Sequence, residues 1–127
     1  MPVVKQLSVT AANRPGQLAR ICETLARNKI NITGLDASGP ARQIRLMVSN
    51  AARAQRVLQK AGWRPKVENA LVISAPDRPG SLGRVAAKLA KRGININYAY
   101  ATVGGGAKRA AIVLGVSDPA RAAKVAR

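Results

Sequence analysis

The chain writes one segment twice. "ANRPGQLARICETLARNKINITGLD" occupies residues 12–36 and "PDRPGSLGRVAAKLAKRGININYAY" occupies residues 76–100, a constant offset of 64 with no gap. The match resumes at an offset of 68, where Val48-Ser49-Asn50 meets Val116-Ser117-Asp118, Arg53 meets Arg121 and Val57 meets Val125. Such a repeat demands a fold in which one supersecondary unit is built twice. A unit of about 60 residues is marginal alone, because it buries only about 60% of its unfolded surface. Two of them in 127 residues are therefore expected to share an interface, within the chain or between chains.

Hydrophobic periodicity gives the elements of that unit. Val3, Leu7, Val9 and Ala11 share one parity, the period of a strand. Asn13-Arg14-Pro15-Gly16 reads as a turn into a helix with Pro at its first position. Leu18, Ile21, Cys22 and Leu25 then recur at helical spacing, which makes Cys22 a small core residue. Residues 30–37 form a second strand, Ser38-Gly39-Pro40 a turn, and residues 42–49 a third strand. Asn50 is placed to cap a helix over 51–61 that Gly62 ends, and residues 63–68 suggest a short fourth strand.

The second copy repeats this order. Residues 70–75 form a strand, Asp77-Arg78-Pro79-Gly80 the turn, and Leu82, Val85, Ala86 and Leu89 the helix stripe that Gly93 closes. A strand over 94–103, a Gly104-Gly105-Gly106 turn, a strand over 110–116 and a helix opened by Asp118-Pro119 follow. The order β-α-β-β-α-β is the ferredoxin-like split motif. The expected fold is α+β, two tandem ferredoxin-like domains with antiparallel sheets over residues 1–68 and 69–127, the second lacking its last strand. An unpaired sheet edge invites association. That edge is expected to be covered by residues 63–68 or by another chain, giving a homodimer.

Composition narrows the function. Without any His, and with Glu23, Asp36, Glu68, Asp77 and Asp118 scattered along the chain, there is no candidate catalytic base and no metal-ligand spacing. No catalytic residue, metal or cofactor is expected, and the chain reads as not an enzyme. The absence of a long apolar run, the lack of a signal-peptide shape and the single Cys22 fit a cytoplasmic location with no membrane contact. The net charge of +17 comes from 22 Lys and Arg, with 11 in residues 1–64 and 11 in 65–127. It is either a solvated surface or a face for nucleic acid or another polyanion. With few aromatics for base stacking, nucleic acid is the less favoured partner.

The repeated pieces, Arg14-Pro15-Gly16-Gln17-Leu18 with Ile30-Asn31-Ile32, and Asp77-Arg78-Pro79-Gly80-Ser81-Leu82 with Gly93-Ile94-Asn95-Ile96, resemble ACT domains, small amino-acid-binding regulatory modules. The spacing and the closing Tyr98-Ala99-Tyr100 resemble free-standing tandem-ACT proteins, some related to acetolactate synthase regulatory subunits. The resemblance implies a regulatory protein whose ligand sits at a junction of two domains, touching this loop and the start of the second strand. It also implies the alternative of a subunit docked on a biosynthetic enzyme.

Physical chemistry agrees with the loop's implied role. A helix start leaves backbone N–H groups unpaired and carries partial positive charge, suited to a carboxylate. A glycine admits close approach, and Asn or Asp side chains can accept from the ligand's ammonium. Carried over, the pockets would use Asn13, Gly16, Leu18 and Asn31 in the first copy and Asp77, Gly80, Leu82 and Asn95 in the second. Asn13 and Asp77 could instead serve only as helix caps, the glycines only as turn residues, and Asn31 and Asn95 only to open a strand. Tyr98 and Tyr100 share parity with Ile94 and Ile96, which suggests packing on the sheet, whereas Gly34 and Asp36 stand at their positions in the first copy. The two pockets are therefore expected to differ.

Overall fold

The computed structural model describes residues 3–12, 14–38, 43–103 and 109–125. Its element order is β1 (Val3–Thr10), α1 (Gln17–Arg27), β2 (Ile32–Ser38), β3 (Gln43–Val48), α2 (Ala51–Lys60), β4 (Lys66–Pro76), α3 (Ser81–Lys91), β5 (Ile96–Val103), β6 (Arg109–Val116) and α4 (Pro119–Val125). The chain divides into two compact units, one of Lys5–Glu68 and one of Met1–Val4 with Asn69–Arg127. The Gly39-Pro40 and Gly104-Gly105-Gly106 turns expected from the sequence lie outside the described residues.

In the first unit the strands run in the order β2-β3-β1, all neighbours antiparallel. Register is set by burial. Leu7 opposite Leu46 and Val9 opposite Ile44 put apolar side chains on one face of the sheet. There they meet Ile21 and Leu25 of α1 and Ala54 and Leu58 of α2 in one core. A one-residue slip would turn this whole set to the other face, so the register is strongly specified. The second unit repeats the arrangement as β4-β6-β5, with Leu71 opposite Leu114 and Ile73 opposite Ile112. Its core closes with Leu89 of α3 and Ala122 of α4. Full burial of each such leucine contributes about 1.5–3 kcal/mol.

One strand expectation is corrected. Residues 63–68 and 70–75 do not form two strands; one unbroken strand, Lys66–Pro76, takes in the last three residues of the first and all of the second. Its first residues belong to the first unit, where Trp63 and Val67 pack against that unit's core. Of the described residues from elsewhere in the chain, Val3 and Val4 group with the second unit. No strand follows α4 among the described residues.

Helix ends show which local signals operate. Asn50 Oδ1 accepts from the Arg53 N–H at 3.0 Å, and Asp118 Oδ1 accepts from the Arg121 N–H at 3.1 Å, so both expected caps are present. The C-termini of α1, α2 and α3 close identically. The Ile30, Trp63 and Ile94 N–H groups each return 3.0 Å to the carbonyls of Leu25, Leu58 and Leu89. This six-to-one bond requires a left-handed residue just before it. Gly62 and Gly93 supply it at φ 104° and 68°, but in the first copy Lys29 does so at φ 58°. A left-handed non-glycine residue costs about 1–2 kcal/mol, partly returned by the greater unfolded-state freedom of glycine. Lys29→Gly is expected to stabilise the protein by roughly 0.5–1 kcal/mol, seen as a melting temperature about 2–4 °C higher. An unchanged or lower melting point would show that Lys29 is not held in that conformation.

Candidate functional site

The two repeated loops are built alike. Arg14 N–H bonds back to the Ala12 carbonyl at 3.0 Å, and Arg78 N–H to the Pro76 carbonyl at 2.9 Å. Each tightens the chain after its strand. Gly16 and Gly80 then take the same left-handed conformation, φ 89° with ψ −13° and −10°, directly before the helix. Their carbonyls accept from the Arg20 and Arg84 N–H groups at 3.0 Å, so the glycine itself is the N-cap. The helices accordingly start at Gln17 and Ser81, two residues later than a helical Pro15 or Pro79 would have placed them.

No side chain caps either helix, and neither first turn contains an acid. The sequence-level option that Asp77 caps α3 is thus corrected, because the chain turns away through Gly80 before the first helical amide. Asp77 is exposed and makes no hydrogen bond or ion pair among the described residues. Asn13 lies outside the described residues. Leu18 and Leu82, just after the glycines, are 36% and 44% exposed although they lie on the apolar stripe of their helices. Both loops therefore present a bare helix N-terminus, an unshielded glycine and an exposed leucine.

Asn31 and Asn95 sit elsewhere. Asn31 N–H donates to Ser49 Oγ at 3.1 Å and its carbonyl accepts from Ser49 N–H at 2.9 Å. Asn95 and Ser117 repeat both bonds at 3.1 and 3.0 Å. These ties join the start of β2 or β5 to the end of β3 or β6. The glycine loop follows the far end, where Thr10 and Ser38 both pair with Gln43. An eleven-residue helix separates the two ends, a length of about 16 Å. Within one unit, Gly16 and Leu18 are brought together but Asn31 is not, and Gly80 and Leu82 are likewise apart from Asn95. The described members of each set do not come together inside a single unit, because a helix crossing the sheet must place its two connecting loops at opposite ends.

The asparagine ends have their own chemistry. Both side chains are exposed; the Asn31 amide has no partner among the described residues, and Asn95 Nδ2 donates to Asn97 Oδ1 at 2.8 Å. Arg53 donates through Nη1 to the Asn28 carbonyl, stabilising the C-terminus of α1. An open cleft of about 200 Å³ on the same unit is lined by Thr24, Asn28, Val57, Lys60 and Ala61, none of them a candidate residue.

Two features were not apparent from periodicity. Arg20 and Arg84 occupy equivalent positions, but Arg20 lies 5.4 Å from the centre of the Trp63 ring, whereas Arg84 Nη1 would be 3.3 Å from a Cβ at Gly80. The second loop alone therefore has a guanidinium beside its glycine. The aligned arginines were the available signal; Trp63, which diverts one of them, is distant in sequence. Beside it Ser81, 7% exposed, has a buried Oγ with no hydrogen-bond partner.

Register shifts between Ile32 and Gly34, and between Ile96 and Tyr98, also break the parity reading. Ile96 packs toward the helices. After the bulge, Tyr98 and Tyr100 pair with Gly115 and Val113, which alternate with core residues Leu114 and Ile112 and so face the opposite way. The Tyr98 ring lies across Gly115, where a Cβ would stand 2.0 Å from its Cε1 atom. In the first unit Asp36 reaches Arg45 at 3.9 Å at the corresponding place.

This geometry has a counterpart among known proteins. The sequence model of the ACT domain matches the chain twice, over residues 5–60 and 69–125. The chain belongs to the ACT-domain family. Among solved structures it is similar to protein BT0572 from Bacteroides thetaiotaomicron, at 30% identity over 97% of this chain and 85% of that one, with a TM-score of 0.87. The fold is also shared with the regulatory subunit of aspartate kinase from Thermus thermophilus, at 16% identity over 98% and 95% of the two chains and a TM-score of 0.68. Escherichia coli aspartokinase III, solved with lysine and aspartate, shares it over 98% of this chain but 30% of its own, at 16% identity and a TM-score of 0.59. No curated protein matches the sequence significantly. ACT domains are small-molecule-binding regulatory modules, and the two units of this chain are ACT repeats. No described helix is long and apolar enough to cross a membrane.

The glycine conformation gives a direct check. Gly16→Ala and Gly80→Ala should each lose about 1 kcal/mol, because alanine is strained at this φ. Gly80→Ala should lose slightly more, since its Cβ also crowds Arg84 while none is crowded at Gly16. Thermal denaturation reads the difference, and alanine tolerated without loss at both sites would refute the left-handed cap.

Proposed function

We propose that the chain is a non-catalytic amino-acid sensor, in which a free amino acid binds where the glycine loop of one ACT unit meets the second-strand start of another. The observation that carries the proposal is the separation of Gly80 and Leu82 from Asn95 within their unit. Each unit holds the two halves of an amino-acid site at opposite ends, so completing a site takes a second unit. Gly80 with the bare α3 N-terminus would receive the carboxylate, and Arg84 would add a charge-assisted bond. An asparagine carbonyl, with Asp77 in reach of the same loop, would accept from the ammonium. Leu82 would cover the side chain.

The second copy's loop is the better half-site. Arg84 stands free of any aromatic ring and Ser81 adds an unpaired hydroxyl, whereas Arg20 is held by Trp63. Ligand would regulate by favouring one association of ACT units over another, which requires tighter binding to that arrangement. A homodimer is the proposed assembly, in the cytoplasm. Exposed Val3, Leu18, Leu35 and Leu82 support a second reading, a regulatory subunit docked on an amino-acid biosynthetic enzyme. That reading requires a stable complex with such an enzyme, measurable by co-elution.

A thermal-shift screen of the twenty amino acids tests the proposal. A ligand at about 100 times its dissociation constant should stabilise the protein by roughly 2.7 kcal/mol. Asn95→Ala is a clean probe, because the bonds to Ser117 come from its backbone and survive. It and Arg84→Gln should abolish the shift while leaving the ligand-free melting point nearly unchanged. Absence of a shift with all twenty would reject the sensor reading.

A further inference from the structure

Positive charge is not spread evenly over the fold. The four helices carry Arg20, Arg27, Arg53, Arg56, Lys60, Arg84, Lys88, Lys91, Arg121 and Lys124, all exposed, against the single acid Glu23. In the second unit the contrast is complete: α3 and α4, which pack side by side, contain five cations and no acid. Leu89 and Ala122 turn inward to the core, so these cations cover the outer side of the helix pair. Arg84, Lys88 and Lys91 follow one another at four- and three-residue steps, a row about 10 Å long by helix rise. Arg121 and Lys124 form a second row on the neighbouring helix. The Arg121 guanidinium lies 4.0 Å from where a Cβ would stand at Gly93, which brings it to the end of α3 that also carries Lys91 and Arg92. Asp118 is the nearest acid in sequence, and one of its oxygens already accepts from the Arg121 N–H.

Like charges three and four residues apart on a helix repel and destabilise it. Five on two touching helices, without an acid between them, make a surface that gains when a polyanion lies on it. The first unit is less suited, because Glu23 interrupts α1.

We propose that the outer face of α3 and α4 is a docking surface for the phosphate backbone of double-stranded nucleic acid, bound without sequence preference. Regular cations in two rows match a rigid ladder of phosphates, and neither helix carries an aromatic side chain on which unpaired bases could stack. This surface shares Arg84 with the proposed amino-acid site but does not rest on that reading, and the variants that test it leave Arg84 in place.

The test is binding of the full chain to a fluorescent 20-base-pair duplex and to either of its single strands, titrated from 50 to 200 mM salt. Five phosphate contacts predict a slope of about −4.5 in log affinity against log salt, an affinity loss of roughly 500-fold across that range. Lys88→Glu/Lys91→Glu/Lys124→Glu should weaken duplex binding more than tenfold and flatten the slope by about three. The control Lys5→Glu/Arg64→Glu/Lys66→Glu makes the same change in net charge, from +17 to +11 as three reversals of two units each, and should weaken it less than threefold. If the reversed triple fails to fold by circular dichroism, the glutamine triple at the same three lysines replaces it. Equal losses in the two triples, single strands bound as tightly as duplex, or no duplex binding at 50 mM salt would each overturn the proposal.

Discussion

Burial of two helices against one face of a short antiparallel sheet is the constraint on which the rest of each unit depends. With no Phe in the chain, the cores are made of Leu, Ile, Val and Ala, and helix and sheet must approach closely to fill the space. That packing lays each helix along the sheet face it covers. It also fixes the rest of the geometry. The loop entering the helix and the loop leaving it are driven to opposite ends, and every long polar side chain of the helix is driven outward.

Both proposed surfaces follow from this. The entering loop ends in a left-handed glycine, so the helix begins without a side-chain cap and its first amides face outward beside an exposed leucine. The leaving loop ends in an asparagine whose backbone is consumed by the serine after the paired strand, leaving its side chain at the surface. The glycine loop and the asparagine of one unit stand too far apart to hold one free amino acid between them. In the proposed site a second unit brings the complementary end. The outward helix faces, meanwhile, carry ten cations against one acid.

Much of this was legible in the sequence because it is local. Asn50 and Asp118 act within three residues, and the strand and helix stripes record which side chains leave water. Other features were decoded only in part. Pro15 and Pro79 suggested a helix start, but the left-handed glycine after each postpones it, and a glycine's φ is not written in its identity. The parity linking Tyr98 and Tyr100 to Ile96 was correct as arithmetic and wrong as geometry. A bulge between Ile96 and Tyr98 adds one residue and turns the tyrosines to the opposite face. Continuity of β4 across Glu68 and Asn69 was likewise hidden, because composition there resembles a linker while backbone pairing does not depend on composition.

By itself the sequence determined the repeat, the order of elements, two helix caps, the loop glycines and the balance of charge. Each depends on contacts within a few residues or on a simple period, which the order of residues records. Tertiary structure alone decided that Asn31 and Gly16 stand at opposite ends of a unit, that Arg20 is taken by Trp63 while Arg84 stays beside Gly80, and that Tyr98 lies across Gly115. Those relations join residues far apart in the chain, and they follow from strand register and helix crossing rather than from any local preference.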